Sequence, residues 1–181
     1  MEHSLTRIAL FAALIAALGL IPQLTLAFGV PITAQSLGVM LCGTVLGARN
    51  GGLAALLFVG LVALGLPLLA GGRGGLGVFA SPTVGFVVGF PFAAFATGLV
   101  MERLHGMAVG WGAGLAAIAG GVVVLYLFGI TGLSIMLDRA WTEAALLVTA
   151  FVPGDIIKAV LTGLITHGLY RARPQSIGSR A

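Results

Sequence analysis

Phe151-Val152-Pro153-Gly154-Asp155-Ile156-Ile157-Lys158-Ala159 holds the only lysine of the chain and, three residues before it, an aspartate. The residues around the pair are mostly apolar and remain so to His167. Positions three apart share one face of a helix, so the two charges can meet. Charge inside an apolar run is costly; it marks a functional site, or else a structural ion pair that pins one helix to its neighbour. Pro153 stands where a helix tolerates it, at the start. Asp155 then falls in the first turn, where the helix dipole favours a negative charge.

The rest of the chain gives that pair its surroundings. Of 181 residues, 59% are hydrophobic and 8% charged, whereas a soluble domain carries about 25% charged residues. Mean hydropathy is +1.15. So few charges do not cover a water-facing surface, and one integral membrane domain over residues 1–181 is expected. The net charge of +4 does not suggest nucleic acid, because the basic residues are scattered and sit at the ends of apolar runs. Cys42 is alone and the three histidines are far apart, so neither a disulfide frame nor a metal site is expected. With no phosphate-loop motif and no nucleophile–base set, no cofactor and no enzymatic activity are expected.

A membrane span needs about 20 mostly apolar residues. The pattern predicts an all-α bundle of six transmembrane helices at approximately 5–26, 33–47, 51–66, 84–101, 107–129 and 153–171. The run after Arg7 could pass for a signal peptide, but it continues past Leu20, and we read it as a retained first helix. Gly29 and Pro31 break the chain before Thr33 and Gln35. The Gly71–Gly77 stretch is flanked by Leu76, Phe79 and Pro82, which argues for an ordered lid over a solvated linker. Residues 129–143 read as a loop, followed by a short helix leading into Pro153.

Six spans with the N-terminus inside put Arg7, Arg49, Arg103, Arg171, Arg173 and Arg180 on the cytoplasmic side, and Arg73 and Arg139 outside. Both termini are then cytoplasmic, in a multi-pass protein of the plasma membrane. The same count gathers the two Gly/Pro-rich loops and the Asp155/Lys158 pair at the outer face. A pocket there would offer Asp155, Lys158, Gln35 and Thr33 as polar groups and Phe28, Phe79, Phe86 and Phe151 as apolar walls. Gly72 would allow close backbone approach. A carboxylate accepts N–H bonds and an ammonium donates to a carbonyl, so an amide or urea group satisfies both.

Several ordered motifs resemble the BioY family, the biotin-binding S components of energy-coupling-factor (ECF) transporters. They are Gly29-Val30-Pro31-Ile32-Thr33-Ala34-Gln35-Ser36-Leu37, Leu46-Gly47-Ala48-Arg49-Asn50-Gly51-Gly52, Gly65-Leu66-Pro67-Leu68-Leu69-Ala70-Gly71-Gly72, Ser81-Pro82-Thr83-Val84-Gly85-Phe86 and Pro153-Gly154-Asp155-Ile156-Ile157-Lys158. The resemblance spans about residues 8–170. It implies capture of biotin from outside, with Asp155 and Lys158 on the ureido ring. It also implies partners: a transmembrane coupling protein and two cytosolic ATPases. S components dock through small residues of the first helix, which here match Ala9, Ala13 and Ala17. The chain departs from the family pattern at Val84-Gly85-Phe86, where Gly-Gly-Tyr is common, and at Phe58, where Tyr is common. Those hydroxyls are absent here, which leaves the partner of the ligand's carboxylate open, with Arg73 as one candidate. The alternatives are an S component for another small vitamin and a membrane structural subunit without a ligand.

Overall fold

The computed structural model describes residues 2–27 and 29–180. The chain folds into six helical rods: α1 (Glu2–Leu18), α2 (Gln35–Leu46), α3 (Ala48–Ala63), α4 (Val84–Arg103), α5 (Val109–Leu137) and α6 (Trp141–Ala172). Three of them, α4, α5 and α6, are long and apolar enough to cross a membrane.

The shortness of α2 has a packing explanation. Every residue of α2 except Leu37 is buried, and the helix packs against all five others. A helix that is apolar all round belongs in a core. Because its neighbours shield it, α2 does not have to bridge the bilayer with its own 12 residues. On α1, Ile8, Ala12 and Ile15 recur at helical spacing and are buried. Ala9, Ala13 and Ala17 form the opposite, exposed stripe of the same helix.

The first helix stops at Leu18, well short of residue 26. Gly19 and Pro22 explain this, since proline lacks the donor that a continuing helix needs. The following residues instead form a small antiparallel pair, β1 (Leu24–Thr25) with β2 (Pro31–Ile32). An otherwise all-α bundle therefore carries a two-stranded flap over one end.

The fifth helix runs past residue 129 to Leu137. Its Gly129 and Gly132 are packing residues: a Cβ on the facing Gly85 would lie 2.1 Å from the Phe128 carbonyl oxygen, so only glycine lets α4 and α5 approach this closely. Midway, Ile118–Val124 has π-helical geometry between two α-helical halves. In a straight α-helix each four-residue step overshoots a turn by about 40°. The wider π turns absorb part of that drift. As a result Val109, Ala113, Ala117, Gly121, Leu125, Gly129 and Leu133, all four apart, stay buried along one face.

The sixth rod begins at Trp141, passes through a 3-10 turn at Thr149–Phe151, and resumes α geometry at Val152. Pro153 is near the start of that second half and Asp155 is in its first turn.

The two ends of the bundle differ. One is closed by tight connections at Gly47 and at 104–108 and by the tail after α6. There Ser179 donates to the Thr44 carbonyl, Arg7 to the Ser176 carbonyl, and Arg180 to the His105 carbonyl at 2.7 Å. Ile177 is fully buried in the main core. Arg7, Arg49, Arg103, Arg171, Arg173 and Arg180 all belong to this end. The other end carries the β1–β2 flap, the glycine-rich 64–83 segment and the turn before Trp141, with Arg73 and Arg139.

Candidate ligand-binding site

Beneath the loops of that second end lies a pocket of about 540 Å³, counted to its open mouth. Six parts of the chain build it: the flap (Val30, Pro31, Thr33), the start of α2 (Gln35, Ser36), the 64–83 segment (Leu69, Arg73, Thr83), α4 (Phe86, Val87, Phe90), α5 (Leu125) and α6 (Phe151, Asp155, Lys158).

Its polar floor is a compact network. Lys158 Nζ lies 2.8 Å from Asp155 Oδ1 and 2.9 Å from Ser36 Oγ. Ser36 Oγ in turn donates to Asp155 Oδ1 at 3.2 Å. Tyr126 Oη donates to the other carboxylate oxygen, Oδ2, at 2.7 Å. Asp155 is 5% exposed, and a buried carboxylate of this kind is tolerable only when paired and hydrogen-bonded. An ammonium has three donors and each carboxylate oxygen accepts two bonds. The network therefore leaves one Lys158 proton and one acceptor position on Oδ2 uncommitted.

The side walls are aromatic. Phe86 and Phe151 pack with ring centroids 5.6 Å apart at 55°, both lining the pocket. Phe58 is fully buried against Phe90, 6.2 Å between centroids, and is not part of the lining.

At the rim, the chain doubles back between Leu69 and Arg73, whose backbones exchange hydrogen bonds of 3.0 and 3.2 Å. Gly71 and Gly72 form the tip with φ of +78° and +69°, a conformation that favours glycine. Gly72 is thus outside the lining; it makes the turn that delivers Arg73. The Arg73 guanidinium donates to the Ala70 carbonyl at 3.3 Å and to Thr83 Oγ1 at 3.4 Å. Ser81 gives its own proton to the Val78 carbonyl at 2.6 Å, so Thr83 donates to Ser81, 2.8 Å away, and its oxygen receives Arg73. Burial lowers the Arg73 pKa from its ordinary value, yet a guanidinium stays charged in proteins. No carboxylate among the described residues pairs with it.

Gln35 has a different part from the one its chemistry suggests. Its Nε2 donates to the carbonyls of Ile15 (3.1 Å) and Leu68 (3.0 Å), and its Oε1 accepts from the Ala70 N–H (3.0 Å). Both donors are spent on the backbone. Gln35 ties α1 and the rim segment to the start of α2, and it touches the pocket as a wall. Thr33 lines the pocket and accepts from the Gln35 N–H at 3.3 Å. Phe79 lies in the 3-10 turn Leu76–Ala80, packed on the main core and outside the lining. Phe28 lies outside the described residues. The structure thus brings Asp155, Lys158, Gln35, Thr33, Arg73, Phe86 and Phe151 together and leaves Gly72 and Phe79 outside.

Two network members, Ser36 and Tyr126, escape sequence reasoning. Ser36 sits in a quoted motif, but its neighbour Gln35 is the more conspicuous polar residue. Tyr126 lies in an apolar run, where an aromatic reads as packing or as an interface anchor.

A model of the BioY family matches residues 2–175. The chain belongs to the BioY family. It is 48% identical to the biotin transporter BioY of Rhodobacter capsulatus, over 99% of this chain and 100% of that one. It is 54% identical to the biotin transporter BioY of Rhizobium etli, over 92% of each chain. Its fold matches the crystal structure of the S-component for biotin from an ECF-type ABC transporter with a TM-score of 0.87 and 31% identity, covering 94% of this chain and 92% of that one. The six-helix S-component architecture expected of a BioY chain is therefore the observed one, and the family is one of transporters, not enzymes.

Proposed function

We propose that this chain is the substrate-binding S component of a biotin uptake system, taking biotin into the pocket between the flap and the glycine-rich rim. The observation that carries the reading is the polarity of the pocket floor. A cyclic urea presents one carbonyl and two N–H groups, and Lys158 and Asp155 present the complementary donor and acceptor side by side. Phe86 and Phe151 supply the apolar surface that a fused ring system needs. Arg73 stands at the rim, without an acidic partner among the described residues, as the group to receive a carboxylate.

The charge distribution supports the orientation. Six arginines at the closed end against two at the pocket end fit a cytoplasmic closed end, with both termini inside and the pocket open to the exterior face of the plasma membrane. The exposed stripe of Ala9, Ala13 and Ala17 supports docking to a transmembrane coupling protein, with two cytosolic ATPases energising uptake. Small residues let a partner helix approach closely where lipid gives no hydrophobic incentive.

Titration of purified protein with biotin tests the ligand. Saturable binding at or below micromolar concentration is expected; no binding by folded protein at that concentration rejects biotin as the ligand.

A further inference from the structure

Ser36 Oγ accepts from Lys158 Nζ at 2.9 Å and donates to Asp155 Oδ1 at 3.2 Å. It lines the pocket at the start of α2 and faces the pair from across the α2–α6 seam. One oxygen atom thus accepts from the ammonium and donates to the carboxylate. Those are the two roles a urea group plays between the same partners: its carbonyl accepts from a cation and its N–H donates to an anion. We propose that Ser36 is a placeholder for the ligand, completing the charged pair while the pocket is empty and yielding its place when the ureido group arrives. This rests on the biotin reading and adds a role within the same site.

The geometry separates Ser36 from Tyr126. Tyr126 holds Oδ2 at 2.7 Å, a short bond to a charged acceptor, of the stronger class. It belongs to α5 and is not part of the pocket lining. Its bond fixes the plane of the carboxylate and has no reason to break on binding. The Ser36 bond to Oδ1 is long at 3.2 Å and shares that oxygen with Lys158. A serine hydroxyl also moves by rotation about one bond, with no backbone shift. The weaker and more mobile contact is the one that is given up.

A placeholder leaves a signature opposite to that of a ligand-binding residue. Removing it strips a partner from Lys158 and Asp155 in the empty protein, where both are largely buried, and leaves the occupied protein intact. Ser36→Ala is therefore expected to lower the melting temperature of the empty protein, to enlarge the rise in melting temperature on adding biotin, and to tighten the Kd. Asp155→Asn, by contrast, is expected to weaken binding by about a hundredfold or more, since a charged hydrogen-bond acceptor is lost and Lys158 is left buried without the opposite charge. Should Ser36→Ala not fold, Ser36→Cys, with its weak donor, reads the same claim through the same two measurements.

The experiment is isothermal titration with biotin and thermal unfolding with and without biotin, on wild-type, Ser36→Ala and Asp155→Asn protein in lipid nanodiscs. The placeholder is supported by tighter binding to Ser36→Ala together with a lower empty-state melting temperature. It is overturned if Ser36→Ala binds biotin no more tightly than wild type, or if its empty-state melting temperature equals that of wild type. Failure of the wild-type protein itself to bind biotin overturns the ligand reading, and that result is separate from either of these.

Discussion

Tyr126 on α5 donates its phenolic proton to Asp155 on α6 across 2.7 Å, and this contact joins two rods at the floor of the pocket. Removing the hydroxyl leaves Oδ2 with one fewer donor and lets the carboxylate turn. Tyr126→Phe keeps the ring's packing, so the fold is expected to survive while biotin affinity falls by about tenfold, the scale of one hydrogen bond to a charged group. Titration calorimetry on the variant reads this directly, and wild-type affinity in Tyr126→Phe would show that Asp155 holds its orientation without help.

Gln35 is expected to behave as a structural residue. Gln35→Leu leaves the carbonyls of Ile15 and Leu68 and the N–H of Ala70 without their partners. Each orphaned buried group costs about 1–3 kcal/mol, so a loss on the order of 3 kcal/mol or more is expected. Thermal unfolding of the empty protein measures it. A melting temperature equal to wild type, with binding lost, would make Gln35 a ligand contact and not a tie.

Arg73 predicts selectivity for a free acid. Arg73→Gln removes the charge at the rim and is expected to weaken biotin by about tenfold or more, since charge-assisted bonds to carboxylate are roughly twice as strong as neutral ones. Biotin amide, which lacks the negative charge, should bind wild type and variant alike. Equal losses for acid and amide would place the carboxylate elsewhere.

The exposed alanine stripe predicts a separation of binding from transport. Ala13→Trp fills the approach surface on α1 without entering the pocket. Biotin affinity of the isolated protein is expected to stay within about twofold, while uptake in the presence of coupling protein and ATPases falls strongly, because close helix approach needs small residues. Unimpaired uptake by Ala13→Trp would move the docking surface off this stripe.

The parts of this molecule that the sequence announces are those where a rule is broken in an expected place. Asp155 and Lys158 stand out because charge is rare in an apolar run, and their i,i+3 spacing on one helix is a local property. Arg73 and the glycines beside it are likewise readable from local composition. What escapes is set by tertiary register. Ala9 and Ala12 look alike in the sequence, yet one faces outward and the other the core, because only packing against α2 and α3 decides the face. Tyr126 reaches Asp155 from an α5 whose winding changes at the π turns between Ile118 and Val124, and nothing in Ile-Ala-Gly-Gly-Val-Val-Val announces a π segment. The end of α1 at Leu18 hides behind an apolar run to Leu26 that serves partly as flap. Ile177 is a single apolar residue among Gly, Ser, Arg and Pro, a composition that reads as a solvated tail, yet it is buried to completion under the closed end.

The central claim is that one charged pair on α6 recognises the ureido group of biotin. The most direct test is equilibrium binding of labelled biotin to purified wild-type, Asp155→Asn and Lys158→Ala protein, with a melting curve for each to certify folding. Each single variant leaves its partner buried without the opposite charge, so both are expected to remain folded with lower stability and to lose most of their affinity, on the order of a hundredfold or more. Wild-type affinity in both folded variants would contradict the account and place the ligand outside this pair.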